Sequence, residues 1–365
     1  MRFTRMGLIL GLCPIGAIAQ SAVTIYGSID AGVTRVSSKA GHSVVLLDAG
    51  NMAPDRIGFR GSEDLGQGYR AIFLLENGFF SDTGAMRWSQ SLFDRQAYVG
   101  IAGPFGVLTM GNQLDNLLPA IGATLTNAAL SGGFNEYHPG NLDNLAIAPP
   151  NAFDPAVFAN SIKFESIDIN GVKARASYRV PESGPVRASS YSVNYARGPL
   201  STGLAYSRYN KRQYNLAALG ITDLLGQTGL SAMTLLKTDA VSTVAAGASY
   251  QFKNILLHGA LTHVRMESGG NSESYRSAEA GLNYRYTPTT TGIVGVSQTE
   301  LGTRKWTQLS LSAVHSLSKR TEIYARLTDQ IASGDATQAA IWGLGPAGVG
   351  HKHQSAFRLG MHHGF

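Results

Sequence analysis

Residues 23–33 read VTIYGSIDAGV, and apolar and polar side chains alternate along this stretch with a period of two. Val23, Ile25, Ile29 and Val33 fall on one set of alternate positions, and polar residues such as Asp30 fall on the other. Successive side chains of a β-strand point to opposite faces. The stretch therefore predicts a strand that has one apolar and one polar face.

The same alternation recurs along the rest of the chain, for example in residues 69–76, 172–179, 278–286 and 357–362. We predict about sixteen strands of roughly ten residues each from this repeated pattern. Some of the links between them are only a few residues long, whereas 114–158, 210–240 and 331–353 are long. This arrangement is typical of an up-and-down antiparallel sheet with tight turns at one end and loops at the other.

Composition excludes several classes of protein. The chain has 365 residues, of which 44% are hydrophobic and 9% aromatic, which is too apolar for a disordered chain. Past residue 20, no apolar run approaches the roughly 18 residues of a spanning helix. The number of strands, their length and the export signal described next favour a transmembrane barrel over a soluble sandwich. Closure is expected because an open sheet edge in lipid leaves backbone groups unpaired.

The N-terminus has the pattern of a secretory signal peptide. Arg2 and Arg5 precede an apolar stretch that ends in the small-residue site before Gln20. We predict that residues 1–19 are cleaved and that 20–365 form a single barrel domain. Pro14 argues against the alternative, a buried N-terminal helix. Cys13 leaves with the signal, which excludes disulfides and thiolate chemistry in the remaining chain.

The net charge of +6 is mild, and no Lys/Arg block is present. We therefore expect no nucleic-acid partner. We also predict no metal site, no cofactor and no catalytic residues. No spacing of acidic residues matches a calcium-binding loop. A structural Ca²⁺ or Mg²⁺ ion in an external loop or near lipid head groups is left open.

Six stretches in the same order resemble one protein family, the general trimeric porins of Gram-negative bacteria in the form typical of betaproteobacteria. Any one stretch is a weak signal, but the six together span the mature chain. They are VTIYGSIDAG (23–32), RIGFRGSEDLG (56–66), FDRQAYVG followed by Phe105-Gly106 (93–106), NSIKF (160–164), LSKRTEIY (317–324) and the C-terminal GMHHGF (360–365).

The resemblance implies a sixteen-stranded outer-membrane barrel, a homotrimer and passive diffusion of small hydrophilic solutes. It also implies that the third external loop, here 114–158, folds into the lumen and narrows it. Outer-membrane lipid, lipopolysaccharide and the barrel assembly machinery are the other partners it implies. The terminal Phe365 resembles the signal by which such barrels are recognised for assembly.

Side-chain parity and the resemblance together select candidate residues for the narrowest part of the channel. Basic residues that alternate with lipid-facing neighbours should point inward, and the family places a pore-wall arginine at Arg95. Asp115 and Asn116 begin the constriction loop. The complete set is Arg56, Arg60, Arg70, Arg95, Lys163, Lys173, Arg175, Asp115 and Asn116.

The sequence departs from the family pattern in its charges. Asn112 stands where an arginine is common, while Asn116 and Ala120 stand where the loop tip of enterobacterial porins carries carboxylates. Asp115 and Asp143 remain as acidic partners for the basic wall. Because the loop side loses more charge than the wall, we predict a weak to moderate preference for anions.

Four alternatives remain open. The basic residues could merely balance Glu76, Glu165 and Glu279. Tyrosines such as Tyr209 and Tyr214 could form a track in a channel specific for a sugar or an organic anion. The external loops 210–240 and 331–353 could make the protein an adhesin. An outer-membrane enzyme would need a Ser–His pair with an orienting group, and no such motif is evident.

Overall fold

The computed structural model describes residues 22–87, 91–122, 157–181, 187–341 and 343–365. The predicted signal peptide, 1–19, lies outside these ranges. So does most of the predicted constriction loop, 123–156, including Asp143. In the ranges that are described, no helix has both the length and the apolar character needed to cross a membrane.

A single antiparallel sheet of seventeen strands closes on itself. The first strand pairs with the last, from Ser28 opposite Gly364 to Val36 opposite Ala356. Two consecutive strands, β2 (His42–Ala49) and β3 (Arg56–Gly66), share β1 (Ala22–Lys39) as their neighbour, so the barrel wall is sixteen strands around. This confirms the predicted barrel. The wall strands are β1 (Ala22–Lys39), β2 (His42–Ala49), β3 (Arg56–Gly66), β4 (Tyr69–Gly78), β5 (Gln96–Gly103), β6 (Gly106–Leu114), β7 (Val157–Glu165), β8 (Val172–Arg179), β9 (Ala188–Arg197), β10 (Leu200–Asn210), β15 (Ala240–Phe252), β16 (Ile255–Ser268), β17 (Asn271–Thr287), β18 (Thr290–Leu301), β19 (Arg304–Ser316), β20 (Thr321–Gly334) and β23 (His353–Gly364).

Short elements fill the links at the loop end of the barrel. The helix α1 follows β6, and a 3-10 turn and three small two-stranded ribbons lie in the later loops. Their bounds are α1 (Leu117–Ile121), the 3-10 turn (Ala217–Leu219), β11 (Gln213–Tyr214), β12 (Asp223–Leu224), β13 (Gln227–Thr228), β14 (Leu236–Lys237), β21 (Ala340–Ile341) and β22 (Gly345–Pro346).

The alternation in the sequence did not predict strand β2. Along this strand Val45 and Leu47 are exposed on the outer face, while Val44 and Leu46 point inward and pack against buried residues of the last external loop. Both faces are therefore apolar, and the period-two signal disappears. Alternation detects a strand only where one face is wet.

The two ends of the barrel differ. At one end lie the chain's C-terminus and tight turns such as those at 253–254 and 288–289. At the other end lie the links 211–239 and 335–352, as well as the constriction loop. Short turns mark the periplasmic side of such barrels and long loops the extracellular side. Strand β17, at 17 residues, is longer than the about ten residues needed to cross, so it projects beyond the membrane.

At the extracellular ends of the later strands, the inward-facing side chains are apolar instead of polar. Val241, Met266, Tyr275 and Trp306 point inward and are buried, and the long loops fold back over them. The Trp306 indole N–H donates to the Gln338 carbonyl at 3.0 Å. The loop residues of this external cap are Tyr214, Leu216, Leu219, Ile221, Leu224, Leu230, Leu236, Ala336, Ala339, Ala340 and Ala347.

Candidate functional site

A first basic cluster lies on the inner wall of β3 and β4. Its centre is Glu76, which is 5% exposed. Arg95 Nε lies 2.7 Å from Glu76 Oε1, and Arg56 Nε lies 3.8 Å from Oε2. The Tyr26 hydroxyl donates to Oε2 at 2.7 Å, and the Arg60 guanidinium lies 5.2 Å from the centre of the Tyr26 ring. Two arginines thus contact one carboxylate, and a third lies beside the tyrosine that donates to it.

The inward position of Arg95 in this cluster does not follow from strand parity. It precedes β5, and its backbone N–H donates to the Glu76 carbonyl at 3.2 Å. The Asp94 carboxylate accepts from the Gly78 N–H at 2.7 Å, and the Asn112 amide donates to the Asp94 carbonyl at 3.2 Å. Asn112, which replaces the family's arginine, therefore helps to hold the turn that aims Arg95 inward.

A second basic cluster lies on β7 and β8. Glu165 accepts from Arg175 Nε at 2.6 Å, and Lys173 Nζ lies 3.9 Å from the same carboxylate. Arg175 also donates to the Asn194 side chain at 2.7 Å. Lys163 Nζ donates to the Leu114 carbonyl at 3.1 Å, where the constriction loop leaves the wall.

Asp115 and Asn116 are buried in the wall and do not face it across open water, but Asp115 interacts electrostatically with Lys163 and stays a predicted acidic partner of the basic wall. Asp115 is 1% exposed and accepts from the hydroxyls of Ser207 and Tyr209. Asn116 is fully buried and donates to the Ser190 carbonyl at 2.8 Å. The backbone turns these two side chains into the wall, where they anchor the loop.

Helix α1 lies inside the barrel because the wall beneath it is built from small residues. Ala205, Ala245 and Ala260 form a buried cluster with the helix. A Cβ atom at Gly203 would collide with the Ala120 carbonyl oxygen. Asn194 donates to that same carbonyl at 2.7 Å. The described beginning of the constriction loop therefore folds inward, as the resemblance implied.

Two of the basic candidates lie near the periplasmic end of the wall. Arg70 faces inward but lies opposite Asp64 beside the periplasmic turn at 67–68, well below the first cluster. Lys173 begins β8 at the same end and is 40% exposed. The wall therefore carries a series of basic residues from mid-height to the periplasmic mouth rather than one compact ring.

Sequence reasoning missed a third group of charges, in which two carboxylates, Asp30 and Asp48, pair with the inward Arg358. Asp30 is fully buried and lies 3.0 Å from the Arg358 guanidinium; it also accepts from the Tyr324 hydroxyl at 2.8 Å. Arg326 donates to the Asn51 side chain at 2.9 Å. The link 50–55 folds across this wall and covers it. In the sequence, the acidic Asp30 on the polar face of β1 was the signal that could have indicated this group.

The sequence profile of the Gram-negative porins matches residues 8–335. The chain belongs to the Gram-negative porin family. It is an outer-membrane channel, and the lumen of the barrel is its path for passive diffusion.

Two porin relatives span most of this chain. Outer membrane porin protein 32 of Delftia acidovorans is 27% identical over 96% of this chain and 95% of its own length. The major outer membrane protein P.IB of Neisseria gonorrhoeae is 26% identical over 88% of this chain and 91% of its own.

A solved porin has the same fold. The anion-selective porin from Comamonas acidovorans superimposes with a TM-score of 0.77 and 24% identity, over 95% of this chain and all of that chain.

The C-terminal residue closes this porin's wall. The Phe365 N–H and carbonyl exchange hydrogen bonds of 3.1 Å with Gly27, and its ring lies over the Gly27 backbone, where a side chain would not fit. The carboxyl end of β23 is thereby fixed beside the beginning of β1.

Proposed function

We propose that this porin prefers anions. The observation that carries the proposal is the imbalance in the two clusters. Arg56 and Arg95 pair with Glu76, and Arg60 lies beside the Tyr26 ring. Lys173 and Arg175 pair with Glu165, and Lys163 bonds to the Leu114 carbonyl nearby. Three cations against Glu76 and Asp94, whose carboxylate lies beside Arg95, leave one positive charge in the first cluster. Three cations against Glu165 and the buried Asp115 leave one in the second.

The selectivity would come from fixed charge rather than from a binding pocket. Channel walls discriminate between ions by their width and by the sign of the charge they present. Glu76 holds Arg56 and Arg95 in place, so their guanidinium groups act on passing solutes from fixed positions. Basic residues below them, at Arg60 and Arg70, extend the favourable potential toward the periplasm.

The name of the Comamonas relative supports the same sign of selectivity, since that protein is described as anion-selective. The alternative of simple charge balance requires as many acids as bases on the wall. The described clusters do not meet that requirement.

A channel with an aromatic track for sugars has less support. Tyr209 is 7% exposed and Tyr214 is fully buried, because the external cap and the root of the constriction loop cover them. These rings cannot stack on a passing solute. The inward folding of the cap also weakens the adhesin alternative, and family membership favours a channel over an enzyme.

We also propose how this porin is exported and assembled, and which partners it contacts in the outer membrane. The porin would be exported by the signal at 1–19, assemble by recognition of Phe365 by the barrel assembly machinery, and form a homotrimer in contact with lipopolysaccharide. Three equal closing steps in a planar-bilayer recording of the purified protein would support the trimer.

Reversal potentials across a planar bilayer with a KCl gradient test the proposed function. We expect a sign that shows chloride to be more permeant than potassium. A potential that shows potassium to be the more permeant ion would contradict the proposal.

A further inference from the structure

The barrel wall is interrupted between β2 and β3, both of which pair with β1. Ala49, at the end of β2, lies opposite Ala31 of β1. Arg56, at the beginning of β3, lies opposite Ser28. Six residues, 50–55, therefore stand against only two residues of β1, so the chain is four residues longer here than a continuous strand would be. Extra residues in one strand leave the plane of the sheet, and we call 50–55 the inner strap.

Inward-facing polar groups of the wall hold the inner strap. The carboxylate of Asp30 accepts from the backbone N–H groups of Asn51 and Met52 at 3.3 and 3.1 Å. The Asp30 N–H in turn donates to the Asp55 carboxylate at 2.6 Å, at the other end of the inner strap. Arg326, on β20, donates to the Asn51 side chain at 2.9 Å. Because the side chains of Asp30 and Arg326 point inward, the inner strap lies on the lumen side of the wall.

Met52 provides the apolar contact of the inner strap. Its side chain belongs to a buried cluster with Ile293, Val314 and Tyr324. These three residues lie on the inward side of β18, β19 and β20, where a water-filled lumen would otherwise wet them. Removing their apolar surface from water is favourable, so the contact holds the inner strap across the wall from β1 to β18.

The inner strap and α1 project from opposite sides of the barrel. The inner strap leaves the wall beside β1, whereas α1 lies over Gly203 on β10. Eight strand pairings separate β10 from β1, which is half of the sixteen strands around the wall. Gly203 beneath α1 and Ile293 beneath the inner strap are each three residues from the periplasmic start of their strands. The two elements therefore occupy similar heights in the lumen.

The two basic clusters lie on one of the two arcs of wall between these elements. Arg56 directly follows the inner strap and belongs to the first cluster, on β3 and β4. The second cluster lies on β7 and β8, next to β9 and β10, which run beneath α1. On the other arc, inward polar residues such as Ser277 and Ser310 are buried, whereas Arg60 on the basic arc is exposed. The basic arc is therefore the more open side for these residues.

We propose that the inner strap is a second constriction element, which narrows the lumen from the wall opposite α1. Solutes pass between the inner strap and α1, along the arc that carries the basic clusters. The inner strap also covers Arg326, which is 3% exposed, so this cation does not contact solutes. The role of the inner strap concerns the width of the channel, and it is independent of the sign of the proposed ion preference.

Replacing 50–55 by Gly-Ala tests the proposal in planar-bilayer recordings of the purified porin. Two residues then face two residues of β1, with the glycine toward the lumen and the alanine outward, so β2 and β3 join in register. Because one layer of chain leaves the lumen, single-channel conductance should rise about 1.5-fold. Larger neutral sugars should also enter liposomes that contain this variant. Both effects are expected whichever ion is preferred, so a failure of the anion preference leaves this test intact.

Met52→Ala keeps the backbone of the inner strap but removes its apolar contact, and we expect a smaller rise in conductance. Met110→Ala changes an exposed methionine of the outer face and is the matched control, which should conduct as the native protein does. Native conductance and a native size limit in the assembled replacement variant would overturn the proposal, and so would an equal rise in Met110→Ala. If heat-modifiable mobility shows that the replacement variant does not assemble, Met52→Ala decides, and native conductance there overturns the proposal.

Discussion

The Nε atom of Arg95 lies 2.7 Å from Glu76 Oε1, although Arg95 precedes its strand and Glu76 lies near the end of another. Both side chains are almost fully buried in the wall. This contact fixes a guanidinium at the height where the constriction loop leaves the wall. It couples the stability of the barrel to the charge of the lumen, because loss of either partner would leave the other as a buried charge with less compensation.

Replacing Glu76 by Gln should strengthen the anion preference and destabilise the barrel. The substitution removes the carboxylate that contacts Arg56 and Arg95, and breaking a buried pair costs about 3–5 kcal/mol. Reversal potentials and thermal unfolding of the purified protein measure the two effects. Glu300→Gln makes the same chemical change on the outer face and should leave selectivity unaltered. An unchanged reversal potential in Glu76→Gln would show that this cluster lies off the ion path.

Replacing both Arg56 and Arg95 by Ala should reduce chloride preference and raise single-channel conductance. Two long cations leave the wall, so the lumen loses positive charge and gains width. Lys305→Ala on the outer face is the control for loss of a basic side chain. If conductance and selectivity both stay at native values in the double variant, the constriction must be formed elsewhere.

A side chain at Gly203 should displace the root of the constriction loop. Gly203→Val places methyl groups where the Ala120 carbonyl now lies, and we expect overpacking to cost about 1–3 kcal/mol. Single-channel conductance should change because α1 moves off the wall. Gly292→Val is the matched control, since nothing lies near that Cβ position. Equal conductance in both variants would contradict the assignment of α1 as the loop's anchor.

Trp306→Ala should loosen the external cap. The ring is 2% exposed and packs among the loop residues, so its removal should cost about 3–5 kcal/mol. We expect faster proteolysis within 210–240 while the barrel stays folded. Trp306→Phe keeps most of the packing but removes the hydrogen bond to Gln338, and it should show a smaller increase. Native resistance in both variants would mean that the cap is held without this ring.

Deleting Phe365 should lower the yield of assembled oligomer in the outer membrane. The deletion removes the ring over Gly27 and the proposed recognition signal together. Phe365→Tyr retains an aromatic ring and serves as the control. Heat-modifiable mobility of membrane fractions distinguishes assembled from unfolded protein, and a native yield of the deletion variant would refute the role of Phe365.

The sequence by itself determined the wall of this porin. In a strand that has lipid on one side and water on the other, every second residue must be apolar, so residues such as Ile25 and Asp30 reveal both the strand and its two faces. Parity likewise placed Arg56, Lys163 and Arg175 on the inner face. Where both faces are apolar, as in β2, the same rule gave no signal.

Only the tertiary structure decided which inward-facing charges are neutralised by a partner. Arg56 and Arg358 have the same signature in the sequence, yet Arg358 is neutralised by Asp30, which is far away along the chain. Asp115 is turned into the wall by hydroxyl groups from β10. Pairing between distant strands and the inward folding of loops set these outcomes, because the energy of a charge depends on the partners around it rather than on its place in the chain.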